Sequence, residues 1–413
     1  MQEKELLPHL FRNEYRKIIA VLSRHFGIEQ ISMAEDIASE TFLIATETWG
    51  LKGLPENPVA WLYTVAKNKT RDYLKRDLLF QKKIRAVLLP DEKLIPEIDI
   101  DLSDENIKDS QLQMMFAIAV PILPLESQIA LTLRILCGFG IEEIADAFLT
   151  NKETIHKRLT RAKEKLRSAK IKIAFPESVE IGPRVDAVLT SLYLLFNEGY
   201  YSSSRNTVLK KDFCIEAMRL NLLLAENEKT NTPKVEALFA LMCFHSSRFD
   251  ARTDENGEII RYDDQNTALW NKELISKGNE YLNKASRGKE LSRYHIEAAI
   301  AYWHTIKNDQ TEKWENILQL YNHLLCIAYS PVSALNRAYA ISKILGKEAA
   351  ISEAEKLGLI NNHLYHVLMG YLYTGNDHKK AVYHLQTALK MAKTEQEKTL
   401  IRKDLGKLGN LEI

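Results

Sequence analysis

Pro58-Val59-Ala60-Trp61-Leu62-Tyr63-Thr64-Val65-Ala66-Lys67-Asn68-Lys69-Thr70-Arg71-Asp72-Tyr73-Leu74-Lys75-Arg76 presents two regular faces. Trp61, Leu62, Val65 and Ala66 recur at helical spacing and form an apolar stripe. Lys67, Arg71 and Lys75 fall at successive i+4 positions, a cationic row along an exposed face. Asn57 stands where a helix N-cap belongs. Pro58 follows at the first helical position, where its missing N–H costs nothing. The stretch predicts a helix with one face for a core and another for a polyanion.

Upstream, Ile31 to Trp49 predicts a partner helix. Ala34, Ala38, Ala45 and Trp49 make an apolar face, flanked by Phe42, and Asp36 and Glu40 sit four apart on the other side with Ser39 beside them. Downstream, the basic run continues through Lys82, Lys83 and Arg85. The chain then turns acidic from Asp91 to Asp109, with Asp91, Glu92, Glu97, Asp99, Asp101, Asp104, Glu105 and Asp109 against Lys93 and Lys108. Pro90 and Pro96 break the helical period there, which predicts a linker.

A second basic segment spans Lys152 to Lys172. Before it, Ile141, Ile144, Ala145 and Phe148 form one face of a short helix, with Glu142, Glu143 and Asp146 outside. Thr150 with Glu153 has the capping-box pattern, so a new helix is expected there. Ile155, Leu159, Ala162 and Leu166 are its buried stripe, and Lys152, His156, Lys157, Thr160, Arg161 and Lys163 its outer face. A short acidic helix, a turn and a basic helix make a helix-turn-helix. His156, Lys157 and Thr160 are the candidates for base edges; Arg158, Arg161, Lys163 and Arg167 are placed for phosphates.

The whole-chain numbers fit this local reading. Among 413 residues the net charge is only +1, so the two basic segments are local surfaces in a nearly neutral chain. Hydrophobic content of 46%, with 16 Gly and 11 Pro, predicts packed helices and an all-α fold. Four cysteines without metal-ligand spacing fit buried free thiols in a reducing cytoplasm. No leader and no apolar run long enough to span a membrane is recognisable, so a cytoplasmic location is expected.

Ala34-Glu35-Asp36-Ile37-Ala38-Ser39-Glu40-Thr41-Phe42 resembles the sigma-factor segment that docks on RNA polymerase. Trp61-Leu62, Ala66, Asn68, Asp72 and Arg76 resemble the following segment, which melts and reads the −10 element. Thr154-Ile155-His156-Lys157-Arg158-Leu159-Thr160-Arg161-Ala162-Lys163 resembles the −35-reading helix of the same family. The resemblance is to extracytoplasmic-function sigma factors of the sigma-70 family. It implies that Asp36, Ser39 and Glu40 contact core polymerase, where the family usually has Gln in place of Ser39. It also implies that Asn68, Arg71, Lys75 and Arg76 track −10 DNA. Lys152, His156, Lys157, Arg158, Thr160, Arg161 and Lys163 would serve the −35 element; Arg is common where His156 stands. The implied partners are the clamp helices and flap of bacterial core polymerase, and promoter DNA. A stand-alone helix-turn-helix regulator is the alternative.

Beyond the helix-turn-helix, Tyr365, Leu368, Leu372, Ala381, Leu385 and Ala388 have tetratricopeptide spacing, with Gly375 and Asn376 at the turn. Ala338, Ile341, Ala350, Ala354 and Leu357 form a weaker copy. Leu192 to Tyr200, Glu297 to Ala301 and Leu335 to Ala338 resemble a sigma subgroup with a tetratricopeptide-like C-terminal extension. Phe116 to Pro121 lacks the Cys-Cys-His stretch often found in that subgroup, so no metal or redox role carries over. The expected domains are 1–80, the polymerase-docking and −10 domain; 81–110, the acidic linker; 111–172, the −35 domain; and 173–413, a helical regulatory domain that binds a protein or peptide. His363 and His366 have no further ligand at motif distance, and Asp254-Glu255-Asn256-Gly257 reads as a turn. No catalytic constellation, metal or cofactor is expected.

Overall fold

Helix follows helix along the chain, as the scarcity of Gly and Pro predicts. The computed structural model describes residues 3–85, 100–148, 150–200, 207–254, 258–308, 310–392 and 394–409. Among these, eighteen α-helices make up the regular structure, with one isolated antiparallel bridge between Thr253 and Ile259. The fold is all-α. It comprises two compact units, residues 1–195 and 196–413.

In the first unit, α1 (Glu3–Phe26) packs on α2 (Ile31–Lys52) and α3 (Pro58–Arg85). Ile31, Ala34, Ala38, Phe42, Ala45 and Trp49 of α2 are buried together. A side chain the size of Phe42 contributes about 1.5–3 kcal/mol by such burial. Trp49 and Trp61 meet with ring centroids 5.3 Å apart, which ties α2 to α3. Gly53 ends α2 with φ at 79°, and its N–H donates to the Trp49 carbonyl at 2.9 Å. Asn57 caps α3 as expected, its Oδ1 accepting from the Ala60 N–H at 3.0 Å.

The stretch read as an acidic linker ends in helix. Residues 86–99, with Pro90, Asp91, Glu92, Pro96, Glu97 and Asp99, lie outside the described residues. Asp104 already opens α4 (Asp104–Ile118), whose Ser103 N-cap accepts from the Asn106 N–H. Asp104 and Glu105 thus stand at a positive helix end, where carboxylates are stabilising. The helix α4 packs on α1.

After α5 (Leu125–Leu131) and a π-helical turn at Thr132–Leu136 come α6 (Ile141–Ala147) and α7 (Lys152–Ser168). Here the structure corrects the expected cap. Asn151 starts α7, its Oδ1 accepting from the Thr154 N–H at 2.8 Å. Asn is at least as good a cap as Thr, so helix starts one residue later than Thr150 would start it. Ile155, Leu159, Ala162 and Leu166 are buried, as their spacing predicts. The unit continues past residue 172 into α8 (Ile181–Tyr200), where the Ser191 hydroxyl donates to Gln128 Oε1 at 2.9 Å.

The second unit takes in the end of α8, α9 (Thr207–Glu226), α10 (Pro233–Ser246), α11 (Lys272–Ala285) and α12 (Arg293–Trp303). It continues with α13 (Thr311–Ile327), α14 (Pro331–Ile344), α15 (Lys347–Lys356), α16 (His363–Tyr373), α17 (His378–Met391) and α18 (Glu395–Gly409). From α9 onward each helix packs on the next. Tyr365, Leu368, Leu372, Ala381, Leu385, Ala388, Ala338, Ile341, Ala350 and Ala354 share one core, with Leu357 packed against it. Gly370 permits the close approach of α16 and α17, since a Cβ there would lie 2.7 Å from Leu385 Cγ. The turn at 254–257 is described only at Asp254; Glu255, Asn256 and Gly257 lie outside the described residues.

Cys137, Cys214 and Cys243 are buried free thiols, and burial pushes Cys243 up to about 12. Cys326, expected to be buried, is exposed: it stands in the last turn of α13, off the stripe formed by Trp314, Ile317, Tyr321 and Leu324. No helix among the described residues is long and apolar enough to cross a membrane.

Candidate nucleic-acid interface

Between α2 and α3 lies a groove of about 460 Å³, lined by Met33, Asp36, Ile37, Glu40, Lys69, Tyr73 and Arg76. It unites two sets that the sequence kept apart, the acidic pair Asp36 and Glu40 and the cation Arg76. Glu40 is held 3.0 Å from Lys69. Ser39 is exposed beside them, but its hydroxyl donates to the Glu35 carbonyl at 2.8 Å within its own helix. Asn68, Arg71, Lys75 and Arg76 are all exposed on α3, and no described residue forms an ion pair with Arg71, Lys75 or Arg76. Tyr63 donates to Glu14 Oε2 at 2.6 Å, and burial together with that carboxylate raises its phenol well above the ordinary value. Its hydroxyl is therefore committed to the bundle.

The outer face of α7 divides into free and engaged groups. His156, Thr160 and Arg161 are exposed, as is Lys157, which pairs with Glu153 one turn back at 2.6 Å. Lys152 pairs with Glu142. Such exposed pairs are worth at most about 1 kcal/mol and exchange readily for phosphate. Arg158 is half-buried, 2.7 Å from Glu126 and lying over the Phe148 ring. Lys163 is turned inward and pairs with Glu35 of α2.

Glu35 is the residue the sequence reading passed over. It is 8% exposed and pairs with both Lys163 and Arg134, whose Nε lies 3.2 Å from it. Arg134 also donates to the Tyr15 hydroxyl at 2.8 Å and to the Phe139 carbonyl at 3.2 Å. Tyr15 is fully buried; burial raises its phenol against the opposing pull of Arg134. A second contact joins Arg12, 2.7 Å from Glu143, with its guanidinium over Phe139. The signal was present in spacing. Ile31, Glu35, Ala38, Phe42, Ala45 and Trp49 recur every three or four residues, so a carboxylate occupies a core position.

Residues 10–78 match the family described as Sigma-70 region 2, and residues 119–166 match Sigma-70, region 4. The chain belongs to the sigma-70 family. Region 2 falls on α1 to α3 and carries the groove; region 4 falls on α5 to α7 and carries the helix-turn-helix. As a sigma-70 family factor the protein serves promoter recognition and transcription initiation, binding core RNA polymerase and promoter DNA. Residues 184–286 match a family of unknown function, DUF6596. The chain is also similar to the uncharacterized protein R00370 of Rhizobium meliloti (strain 1021), 36% identical over 363 residues. That match covers 85% of this chain and 84% of the relative. No solved structure matches.

Proposed function

We propose that this sigma-70 factor is of the extracytoplasmic-function type, and that its second unit is a built-in regulator of tetratricopeptide-like architecture. In this reading Asp36, Ser39 and Glu40 dock on the polymerase clamp, and Asn68, Arg71, Lys75 and Arg76 follow −10 DNA. On α7, His156, Lys157 and Thr160 meet −35 bases while Arg158, Arg161, Lys163 and Arg167 hold phosphates, and Lys152 also serves the −35 element. The observation that carries it is the juxtaposition in one groove of the exposed carboxylates Asp36 and Glu40 with the exposed cation Arg76, beside Arg71 and Lys75 exposed on the same helix. Opening a duplex needs the backbone gripped by cations while bases are held unstacked.

The inward turn of Lys163 has a consequence for this function. Reading two separated promoter elements at once requires regions 2 and 4 to stand apart, so the Glu35 contact opens on the way to promoter DNA. The second unit supports the regulatory reading through its stacked helix pairs, which form surfaces suited to a protein or peptide. The test is co-purification with core polymerase. Charge reversal at Asp36 and Glu40 is expected to abolish association while helical circular dichroism is unchanged; retained association would remove the docking assignment.

A further inference from the structure

We propose that the second unit contains a binding site, centred on Arg248, for a small molecule bearing a phosphate or carboxylate group. Arg248 follows the C-terminal end of α10 and is 8% exposed. Among the described residues its guanidinium has no carboxylate partner and no hydrogen-bond acceptor, and its Nε is buried without one. Its charged group lies instead over the Tyr262 ring, 5.6 Å from the centroid. Three arginines elsewhere have a carboxylate partner: Arg134 pairs with Glu35, Arg261 with Asp404 and Arg337 with Glu353.

The surroundings repeat the same deficiency. His245 Nδ1, His304 Nδ1, Trp270 Nε1 and Gln265 Oε1 are each buried without a hydrogen-bond partner. They gather around Tyr262, whose ring stands 5.3 Å from His304 and 6.1 Å from Trp270 and whose carbonyl accepts from the Gln265 N–H at 3.2 Å, with His245 in the field of Arg248 and His304. Lys313, itself 2% exposed, donates to the Tyr262 hydroxyl at 3.0 Å. Burial and the neighbouring cations Arg248, Arg252 and Lys313 hold both histidines neutral, His304 down to about 3. No carboxylate contributes to either.

Buried polar groups are nearly always hydrogen-bonded, and a buried cation without a partner is costly. The C-terminal end of α10, directly before Arg248, offers about half an elementary charge of relief but no acceptor for its Nε. An oxyanion supplies what is missing. Its oxygens accept from the planar fork of Arg248 and from the Trp270 N–H, while Gln265 Oε1 accepts from a ligand hydroxyl. The Tyr262 and Trp270 rings flank the body of the ligand. At 8% exposure Arg248 is out of reach of a nucleic-acid backbone, so the ligand in this proposal is a small molecule. His245, Arg248, Tyr262, Gln265 and Trp270 all fall within the region matched by the family of unknown function.

The test is a tryptophan-fluorescence titration of the full chain with sodium phosphate and, separately, sodium acetate. Sodium chloride at matched ionic strength is the control. A saturable change with phosphate or acetate, absent with chloride, is expected, and the stronger of the two identifies the oxyanion class. Arg248→Met is expected to weaken it about 10- to 100-fold, and Arg248→Lys to fall between. In chloride alone Arg248→Met melts at the same temperature as the parent chain or higher, whereas loss of a structural arginine would lower the melting point. No saturable response to either anion, or an equal response in folded Arg248→Met, overturns the site. Should Arg248→Met lose its helical circular dichroism, Arg248→Lys decides, and unchanged affinity in that variant overturns the proposal. The readout is binding alone and does not depend on promoter activity.

Discussion

Replacing Glu35 by Gln is expected to release region 4 from region 2. The carboxylate lies 3.2 Å from Arg134 Nε and also pairs with Lys163, with side-chain exposures of 11, 18 and 17% for Glu35, Arg134 and Lys163. At an effective dielectric constant of about 20, one such pair is worth about 5 kcal/mol before desolvation. Arg134 keeps the Tyr15 hydroxyl and the Phe139 carbonyl, so only part of its environment is lost. Lys163 loses its carboxylate altogether. Breaking a buried pair from one side costs about 3–5 kcal/mol, and the lower end applies here. About 3 kcal/mol shifts the ratio of closed to open forms by more than a hundredfold. Dyes on exposed positions 47 and 165, in a Cys326→Ser background, report the separation by energy transfer. Lower transfer in Glu35→Gln, with little change in Glu143→Gln, is the expected pattern, because the Arg12–Glu143 pair is about one-third exposed. Unchanged transfer and unchanged melting in Glu35→Gln would refute the reasoning.

On α7, Lys157→Ala or Thr160→Ala is expected to lose about 1–3 kcal/mol of discrimination at one −35 base pair, read by competition between promoter variants. Arg161→Ala should instead weaken binding across sequences and reduce the slope of log affinity against log salt by about one. Gly370→Ala drives a Cβ against Leu385 and is expected to cost about 1–3 kcal/mol by overpacking, less up to about 1 kcal/mol returned by helix propensity, measured by urea unfolding. Burial lowers His245 and His304 in the fold, so the unfolded chain takes up protons below about pH 6.5 that the folded chain refuses. Stability of the second unit is therefore unaffected by these groups above that pH and falls as pH drops toward about 3, where His304 is finally protonated in the fold.

Periodicity revealed the helices of both sigma regions because their apolar stripes are regular. Ile155, Leu159, Ala162 and Leu166 are buried as read, and Asn57 caps its helix as read. The candidate residues Asp36, Glu40, Arg71, Lys75, His156, Lys157 and Arg161 are exposed, as a contact surface requires. What escaped the sequence was tertiary pairing. Charge along a strand of sequence says nothing of direction, so Lys163 counted as a phosphate ligand and Glu35 as part of a docking motif, although they meet each other across 128 positions. The acidic run at 101–109 was misleading for a local reason: carboxylates suit both a linker and a helix N-terminus, and Ser103 selects the latter. Arg248 was invisible because its significance is the lack of a partner, which only packing reveals.

The most direct measurement is reconstituted run-off transcription with bacterial core polymerase, the full chain and the DNA upstream of its own coding sequence. A discrete transcript that requires the chain, and that disappears on charge reversal of Asp36 and Glu40, is the predicted result. Specific DNA binding by the chain alone, with no association with core polymerase and no transcript, would contradict it.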